Sequence, residues 1–351
     1  MVMMTDSELS AVLARFPDLR MGVLGDFALD CYWDMDESAS VPSLETGKPT
    51  RPVSRQRYAG GGAANVAANL AGLGCRKVSA FGVVGEDPLG AELLRMLNTF
   101  GVECRGVQKQ EQDWDTIAYV KPHRDMVEQN RIDFGDFNRI HDETADRMIS
   151  CLEPVLPDLD ALVINVQARS GIHSPRLRQR LSALIESRPE GIFVVDSREP
   201  GMLYEGCALK INDREAMRVC GLSPVPDAGS SRESTLVAAE RMYAERGRPV
   251  FITRGAEGMV VCDGEGVSEI PPIVLEGEVD PTGAGDGALA GIAAALASGS
   301  APVQAAVIGT LAAAVCVRQL RRTGVATPES MRGMLEYADD FFRRRGKKGD
   351  E

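Results

Sequence analysis

The chain has 351 residues, of which 44% are hydrophobic and 26% charged, a balance typical of a folded globular protein and not of a disordered one. Lys and Arg number 39 against 51 Asp and Glu, so the formal net charge is −12. This excess of negative charge argues against nucleic acid or an anionic membrane as a partner, because phosphate groups attract a net basic surface. It leaves room for a local basic pocket that binds a small phosphorylated ligand.

No C-x-x-C pair occurs among the eight cysteines, and the chain has only three histidines. Disulfide scaffolds belong to short secreted chains, and zinc sites need closely spaced ligands, so neither is predicted. The first residues are acidic and helical in pattern, unlike a secretory signal peptide. We therefore expect a cytoplasmic protein with reduced thiols.

Short apolar runs alternate with helical patterns through most of the chain. This alternation predicts an α/β fold whose mostly parallel central sheet is covered by helices on both faces, with ligands beyond the carboxyl ends of the strands. The predicted strands are Arg20–Gly25, Lys77–Val84, Asp160–Val166, Gly191–Asp196, Ala208–Asn212 and Pro249–Arg254. The predicted helices are Ala63–Leu73, Leu89–Phe100, Glu143–Leu152, Pro175–Ser187, Arg232–Arg246, Ala284–Ser298, Pro302–Leu320 and Pro328–Arg345.

Two stretches interrupt this alternation and have the character of extended strands with turns. We expect them to pair into a small β-sheet lid, from about 31–59 and 112–135, that covers the site and excludes water. The main domain then occupies residues 20–345, after a helical extension at 1–19 and before a charged tail at 346–351.

The strongest chemical signal is V-D-P-T-G-A-G-D-G-A, from Val279 to Ala288, which leads directly into an apolar helix. Successive N–H groups at the start of a helix form an anion-binding site, and small residues let a ligand approach them closely. A carboxylate there, Asp286, can take a proton from a hydroxyl while the N–H groups stabilise a transferred phosphoryl group. Taken alone, the run is more typical of a helix cap than of a ligand site.

Two further runs support a ligand site. In G-G-G-A-A-N-V-A-A-N-L, from Gly60 to Leu70, the glycines bring backbone close to a ligand, and Asn65 offers an amide to sugar hydroxyls. Asp26 and Asp30 follow the first predicted strand, where a ligand is expected. Without the other signals, each run is explained by a packed helix or a capped turn.

These motifs together resemble the ribokinase/PfkB family of carbohydrate kinases. G-G-A-A-N-V-A-A-N-L-A-G-L-G at 61–74 is similar to the N-terminal signature of the family, and D-P-T-G-A-G-D-G-A-L-A-G at 280–291 to the C-terminal one. K-x-N-x-x-E at 210–215 and T-x-G-x-x-G at 253–258 resemble further elements. The resemblance covers residues 20–335 and implies a ribokinase-like α/β fold with a β-sheet lid.

Within the family, the nearest likeness is to the kinase half of heptose-phosphate enzymes. It is carried by G-D-F-A-L-D-C-Y-W at 25–33, R-I-D-F at 131–134 and T-G-V-A-T-P-E at 323–329. The chain departs from them after the middle strand, where N-V-Q-A-R-S-G at 165–171 replaces a D-Y-x-K-G segment. The lid sequence L-E-T-G-K-P-T-R-P-V also differs, which leaves the identity of the sugar open.

The resemblance implies a role for individual residues. It makes Asp286 the base, and it places the anion hole at Gly283, Ala284 and Gly285. The sugar would be held by Asp26, Asp30, Gly61, Gly62 and Asn65. The nucleotide would be held by Asn212, Glu215, Thr253, Gly255 and Gly258.

The same resemblance implies ATP and Mg²⁺ as cofactors, with Glu215 reaching the metal indirectly through water. A monovalent cation such as K⁺ is a further cofactor that it leaves open. Four basic lid residues could reach a phosphate already on the substrate: Arg51, Arg57, Lys121 and Arg131. Each of them is more commonly explained as solvated surface. Lid-to-lid homodimers are common in the family, and an exposed sheet edge favours such a cover.

Other readings of the sequence explain less. H-R-D-x-x-x-x-N at 123–130 and D-F-G at 133–135 match protein-kinase motifs, but they lie too close together for that fold. Neither a P-loop nor a G-x-G-x-x-G after the first strand is present. Two alternatives stay open: a nucleoside or pseudouridine kinase of the same family, and a sugar-sensing protein without catalysis on the kinase fold.

Overall fold

The computed structural model describes residues 4–125, 127–198, 204–222, 230–320 and 323–348, so residues 349–351 of the expected tail lie outside it. Its strands, in chain order, are β1 (Arg20–Gly25), β2 (Phe27–Met35), β3 (Val53–Gly62), β4 (Lys77–Gly85), β5 (Glu103–Gln110), β6 (Ala118–Arg124), β7 (Val127–Glu128), β8 (Ile132–Phe134), β9 (Ala161–Val166), β10 (Phe193–Ser197), β11 (Ala208–Asn212), β12 (Val250–Thr253), β13 (Met259–Asp263) and β14 (Gly266–Ile270). Its helices are α1 (Asp6–Leu13), α2 (Ala63–Gly72), α3 (Pro88–Thr99), α4 (Asp142–Leu152), α5 (Pro175–Glu186), α6 (Asp213–Val219), α7 (Arg232–Arg246), α8 (Ala284–Ala297), α9 (Pro302–Val317) and α10 (Pro328–Lys348).

A nine-stranded sheet forms the centre of the fold, in the order β14-β13-β12-β11-β10-β9-β1-β4-β5. In this order, the neighbouring strands from β12 through β11, β10, β9, β1 and β4 to β5 run parallel. The pairings of β13 with β12 and of β14 with β13 are antiparallel. Two apolar clusters, one on each face, bury the sheet under helices. This arrangement confirms the predicted α/β class. Strand order reverses at β1, where ligands of such sheets bind.

All six predicted strands are present, with ends within two residues of those expected, and the eight predicted helices within three. The strands β5, β13 and β14 and the short helix α6 were not predicted. The hairpin of β13 and β14 carries a recognisable signal, because D-G-E-G at 263–266 is rich in turn residues and Gly266 adopts a φ of +111°. None of the helices in the described ranges is long and apolar enough to cross a membrane.

A smaller five-stranded sheet stands beside the main one, in the order β3-β2-β6-β7 with β8 also on β6. Both stretches that interrupt the alternation contribute to it, as the predicted small sheet requires. A single residue, Asp26, separates β1 in the main sheet from β2 in the small one. The small sheet is called the lid below.

The first helix belongs to the core of the main domain. Leu9, Leu13 and Phe16 are each at most 3% exposed and join the larger apolar cluster. A capping box between Thr5 and Glu8 begins α1. The N-terminal segment, expected as an extension, is therefore packed against the rest of the domain.

The helices α8 and α9 pack closely against each other and fix the position of the loop before α8. Gly291 and Gly309 face each other at the crossing, where a Cβ on Gly291 would lie 3.1 Å from the Cα of Gly309. Such short distances require small residues on both helices. The run that leads into α8 is therefore anchored by the core.

Replacing Gly309 with Ala tests this packing. The added Cβ would lie 2.7 Å from Cγ1 of Ile292 and 3.0 Å from the carbonyl oxygen of Ala288. Overpacking costs about 1–3 kcal/mol, more than the roughly 1 kcal/mol that Ala gains over Gly in a helix. We expect Gly309→Ala to lower the free energy of unfolding, measured by urea denaturation.

Gly333→Ala is the matched control, because Gly333 is exposed in α10 and has no atom within 4 Å of the added Cβ. This variant should raise the free energy of unfolding by about 0.5–1 kcal/mol. Equal changes in the two variants would contradict the close approach of α8 and α9.

Candidate active site

A cavity of about 860 Å³ lies at the carboxyl ends of the central strands, between the main sheet and the lid. Asp196 enters it from β10, Asn212 from β11 and Thr253 from β12. The lid contributes Asp30 from β2 and Lys121 from β6. The cavity is therefore where the topology of the sheet places a ligand.

Asp286 lies in the first turn of α8 and lines the cavity, half-buried. Its Oδ2 accepts a hydrogen bond of 3.0 Å from Nδ2 of Asn65. Burial raises the pKa of Asp286 to about 6, although Asn65 and the Lys210 ammonium act to lower it. A carboxyl group with this pKa is ionised at neutral pH and still basic enough to accept a proton.

The loop before Asp286 adopts a conformation that needs glycine. Gly283 caps α8 with a φ of +79°, and a Cβ there would lie 2.4 Å from Cγ2 of Thr323. Within the described residues, the N–H groups of Gly283, Gly285 and Asp286 have no hydrogen-bond acceptor, as expected for a helix N-terminus open to a ligand.

The predicted anion hole needs one adjustment. The N–H of Ala284 donates to the carbonyl oxygen of Pro281 at 3.2 Å, so it is already occupied. The free donors are those of Gly283, Gly285 and Asp286. Ala284 still lines the cavity through its other atoms.

Asn65, expected to hold the sugar, is instead buried behind the cavity wall. It is 1% exposed and does not line the cavity. Its amide nitrogen donates to Asp286 and, at 3.4 Å, to the carbonyl oxygen of Gly283, while its amide oxygen accepts from Asn69. The geometry gives Asn65 the role of positioning Asp286, because its amide has no polar atom left over for a sugar.

Asp26 also differs from its expected role. Its carboxylate accepts three backbone hydrogen bonds of 2.8–2.9 Å, from the N–H groups of Gln167, Ala168 and Ile172. The side chain is 1% exposed and does not line the cavity. Asp26 therefore holds the segment after β9 against the end of β1.

The remaining predicted sugar-side residues do meet in the cavity. Asp30 lines it together with Gly61 and Gly62. The carboxylate of Asp30 pairs with Nζ of Lys121 at 3.0 Å and accepts from Oγ1 of Thr323 at 3.2 Å. These bonds fix the orientation of Asp30 towards the space between the lid and α8.

The four basic lid residues divide into two pairs. Lys121 and Arg131 line the cavity, whereas Arg51 and Arg57 do not. Arg57 is paired with Asp34 at 2.8 Å, and Arg51 is exposed. The guanidinium of Arg131 is held by Asp133 and stacks 4.5 Å above the ring of Tyr119, whose side chain also lines the cavity. Cations therefore face the cavity from one side of the lid.

All five predicted nucleotide residues line the opposite end of the cavity: Asn212, Glu215, Thr253, Gly255 and Gly258. Asn212 and Glu215 form a capping box that begins α6, with bonds of 2.9 and 3.1 Å. Burial raises the pKa of Glu215, and the N–H of Asn212 partly opposes this. Apolar residues complete this end with a surface suited to a flat ring: Pro272, Ile273, Val274, Leu275, Ala314 and Val317.

The donor set of this end fits a magnesium ion that arrives with a nucleotide. No cluster of three or more His, Cys, Asp or Glu that could hold a metal occurs in the described part of the chain. Mg²⁺ commonly takes most of its ligands from phosphates and water and only one or two from carboxylates. Glu215, whose Oε2 accepts from Asn212, would hold such an ion through water.

The structure adds residues that sequence reasoning missed. Lys210 and Asp196 line the cavity as a buried ion pair of 2.9 Å, and Gln167 and Arg198 line it as well. Lys210 was visible as the first residue of the K-x-N-x-x-E pattern. Asp196 is the last residue of a predicted strand and Arg198 lies just beyond it, so only their positions along the chain could have pointed to the cavity.

The protein-kinase-like motifs lie on the lid and serve no common site. His123 is in β6, and Asp133 is in β8, where it binds Arg131. Among the described hydrogen bonds, the side chain of His123 makes one, in which Nδ1 donates to the carbonyl oxygen of Lys121. These motifs are coincidental.

The fold, the helix N-terminus and its carboxylate define a class of enzyme, the sugar kinases built on this α/β architecture. Residues 26–328 match the pfkB family carbohydrate kinase model, and the chain belongs to that family. It is therefore a kinase, and the resemblance found in the sequence is confirmed. This membership argues against the sugar sensor without catalysis.

The chain is similar to the bifunctional protein HldE of Caulobacter sp. (strain K31), with 30% identity over 349 residues that cover 95% of this chain and 67% of that protein. HldE of Halorhodospira halophila is 31% identical over 334 residues, covering 92% and 65%. The chain thus spans about two thirds of the length of these relatives.

Solved structures share the fold. Ribokinase of Arabidopsis thaliana, complexed with ribose and ATP, aligns with a TM-score of 0.68 at 19% identity, covering 91% of this chain and 99% of that one. Phosphofructokinase-2 of Escherichia coli, in complex with potassium, aligns with a TM-score of 0.70 at 18% identity, covering 92% and 99%. The ribokinase-like fold is thereby confirmed.

The raised pKa of Asp286 predicts a stability cost. The carboxyl is harder to ionise in the folded chain (about 6) than in the unfolded chain (3.8), so its ionisation destabilises the fold as pH rises from about 4 to 6. Asp286→Asn removes this cost. At pH 8 we expect the free energy of unfolding of the variant, measured by urea denaturation, to exceed that of the wild type by about 1–2 kcal/mol after screening by cavity water.

The difference should shrink when both proteins are unfolded at pH 5. Asp158→Asn is the control, because it makes the same substitution at a side chain that is 74% exposed and lies outside the cavity. If Asp286→Asn has the same free energy of unfolding as the wild type at both pH values, Asp286 is not desolvated.

Proposed function

We propose that this kinase transfers the γ-phosphoryl group of Mg·ATP to a hydroxyl of a sugar phosphate. The observation that carries the proposal is Asp286, a carboxylate with a pKa of about 6 beside the unpaired N–H groups that begin α8. This pairing of a base with an anion site suits phosphoryl transfer to an alcohol.

The step balances in atoms and charge. The acceptor hydroxyl oxygen forms a bond to the γ-phosphorus, the bond from that phosphorus to the β,γ-bridging oxygen breaks, and ADP leaves. The hydroxyl proton passes to the carboxylate of Asp286, held in place by Asn65. The N–H groups of Gly283 and Gly285 stabilise the charge on the moving group. Positioning and electrostatics suffice, so no covalent enzyme intermediate is needed.

The nucleotide is proposed to lie along Thr253, Gly255 and Gly258, with its base against the apolar wall formed from Pro272 to Leu275. A Cβ on Gly258 would lie 2.2 Å from the carbonyl oxygen of Ile270, so this turn requires glycine. Mg²⁺ supplies charge neutralisation of the phosphates when bound. Glu215 and Asn212 would orient the water around it.

The acceptor is proposed to carry a phosphate because Lys121 and Arg131 face its end of the cavity. Asp30, which is bound to Lys121, would accept hydrogen bonds from sugar hydroxyls. A guanidinium that stacks on Tyr119 is well placed for a phosphate, which Arg binds through two parallel hydrogen bonds. The similarity to HldE and the sequence resemblance to heptose-phosphate enzymes favour a heptose phosphate.

The first experiment measures ADP release with Mg·ATP across a panel of acceptors: heptose 7-phosphate, fructose phosphates, the unphosphorylated sugars, and nucleosides including pseudouridine. We expect turnover with a sugar phosphate, and a loss of at least about hundredfold in kcat for Asp286→Asn, the usual contribution of a general base.

In the wild type, kcat/KM should rise with pH around pH 6, because Asp286 must be ionised to accept the proton. Turnover of a nucleoside in place of every sugar phosphate would replace the proposal with the alternative kinase. Full activity in Asp286→Asn would remove the assigned base.

A second experiment tests the phosphate contact. Arg131→Gln should lower kcat/KM for the sugar phosphate about tenfold or more, the size of one charged hydrogen bond, and leave kcat/KM for the unphosphorylated sugar nearly unchanged. Arg51→Gln is the matched control, because Arg51 is exposed just before β3 and does not line the cavity. Equal losses for both sugars would show that Arg131 acts on lid structure and not on the phosphate.

Three expectations stay predictions. They are the need for K⁺, the cytoplasmic location and the lid-to-lid homodimer. The lid supports the last of these, because it exposes apolar side chains that a second lid would cover: Val53, Tyr58, Val127, Ile132 and Phe134.

A further inference from the structure

A second cavity, of about 630 Å³, lies between the lid and the end of α9. None of the described residues that line it also lines the active-site cavity. Its described lining includes three guanidinium groups, from Arg55 and Arg57 of β3 and from Arg318 after α9, and no carboxylate. In a chain with a net charge of −12, this is a local concentration of positive charge. Such a concave, one-sign surface attracts small anions.

The second cavity lies on the same face of the lid as the sugar-side carboxylate. Asp30 and Tyr32 are two residues apart in β2, so their side chains point to one face. Arg57 is directly opposite Tyr32 in the register of β2 and β3, and Arg55 is two residues from Arg57. Both arginines therefore share that face. The second cavity continues along the inner surface of the lid, beyond the acceptor end of the active-site cavity.

The guanidinium groups are held in place and keep N–H donors for a ligand. The guanidinium carbon of Arg57 lies 5.6 Å from the ring centre of Tyr32, and that of Arg318 lies 5.0 Å from the ring centre of Tyr337. Stacking occupies the face of a guanidinium and leaves the N–H groups at its edge. Within the described ranges, Arg55 and Arg318 make no hydrogen bond or ion pair. Such donors suit a phosphate group, which Arg binds through parallel hydrogen bonds.

The size and the other walls of the second cavity suit a small organic phosphate. Its volume falls within the range of about 300–1,000 Å³ that is usual for small-molecule sites. The side chains of Tyr32, Tyr58 and Leu320 add apolar surface to the lining. The carbonyl end of α9 disfavours an anion, but its charge of about one half is smaller than that of three guanidinium groups.

Tyr32 connects the second cavity to the acceptor end of the active site. Its ring contacts a cation of each cavity, because Nζ of Lys121 lies 4.9 Å from the ring centre that Arg57 also approaches. The same Nζ donates to the Tyr32 hydroxyl at 3.5 Å and pairs with Asp30 at 3.0 Å. A ligand that contacts Arg57 is therefore one side chain away from the groups expected to bind the acceptor.

We propose that the second cavity binds a phosphate group of a small ligand through Arg55, Arg57 and Arg318, and that its occupancy weakens binding of the phosphorylated acceptor. Two anions on the same face of one lid repel each other, and the effect of each on the affinity for the other is reciprocal. The site itself is separate from the proposed function. Its effect on the acceptor rests on that function.

The first test measures binding of inorganic phosphate by calorimetry in the presence of saturating Mg·AMP-PNP, which occupies the nucleotide end of the active site. All proteins carry Arg131→Gln, which removes the proposed phosphate contact of the acceptor. Adding Arg55→Gln and Arg318→Gln together should weaken phosphate binding about tenfold or more, the size of a charged hydrogen bond. Both side chains are exposed, so the variant should fold, as circular dichroism will verify.

Arg76→Gln in the same background is the matched control, because Arg76 is exposed just before β4 and lines neither cavity. It should leave phosphate affinity unchanged. AMP and ribose 5-phosphate, titrated in the same way, distinguish the sources of the phosphate group. Tighter binding of one of them assigns the ligand to nucleotides or to sugar phosphates, and equal binding of all three assigns it to free phosphate.

The second test measures turnover of the sugar phosphate with Arg131 intact. Inorganic phosphate should raise KM for the acceptor about threefold more in the wild type than in the variant with Arg55→Gln and Arg318→Gln. Without added phosphate, kcat/KM of the two proteins should be nearly equal. Inhibition of the same size in both proteins overturns the coupling to the acceptor.

Unchanged phosphate affinity in the folded double variant overturns the second site. If that variant instead turns a dimer into a monomer in ultracentrifugation, the arginines belong to a contact between two copies of the chain, and the site also falls. If the wild type turns over no sugar phosphate while the difference in phosphate affinity is present, the proposed acceptor fails and the second site stands.

Discussion

Asp286 is subject to opposing electrostatic effects, and much of the surrounding structure exists to balance them. Burial favours its neutral form, whereas the Asn65 amide, the Lys210 ammonium and the start of α8 favour the ionised form. The balance keeps the carboxylate available near neutral pH.

This balance depends on packing far from the cavity. The N-terminus of α8 stays in place because α8 and α9 approach each other through glycines, and Asn65 stays in place because Asn69 binds it from the next turn of α2. Asn69 in turn donates to the carbonyl oxygen of Gly324 and accepts from the N–H of Ala326. The late T-G-V-A segment, which the sequence offered only as a family likeness, thus supports the carboxylate of Asp286 through the side-chain amides of Asn69 and Asn65.

Much of the fold and of the site was predictable from the sequence because periodicity and glycine-rich motifs report on local backbone. Asp286, the glycines and the residues expected on the nucleotide side were predicted this way, and the structure places them in one cavity. The roles of Asn65 and Asp26 were not, since a polar residue in a motif gives no sign of whether its hydrogen-bonding groups are already used. Lys210 and Asp196 meet only through the pairing of β10 and β11, a contact between residues 14 positions apart that no local pattern contains.

Asp26 fixes the lid to the main sheet at one point. Its side chain is fixed to the segment after β9, and its carbonyl oxygen accepts from the N–H of Ala63, so the first strand of the lid begins and the second ends at one clamped point. A lid that rotates about this pivot acts as a lever. At about 3.3 Å per residue, Asp30 lies about 13 Å from the pivot and Met35 about 30 Å, so a 10° rotation moves them by roughly 2 and 5 Å. The far end of β2 therefore moves more than twice as far as Asp30 for the same rotation of the lid.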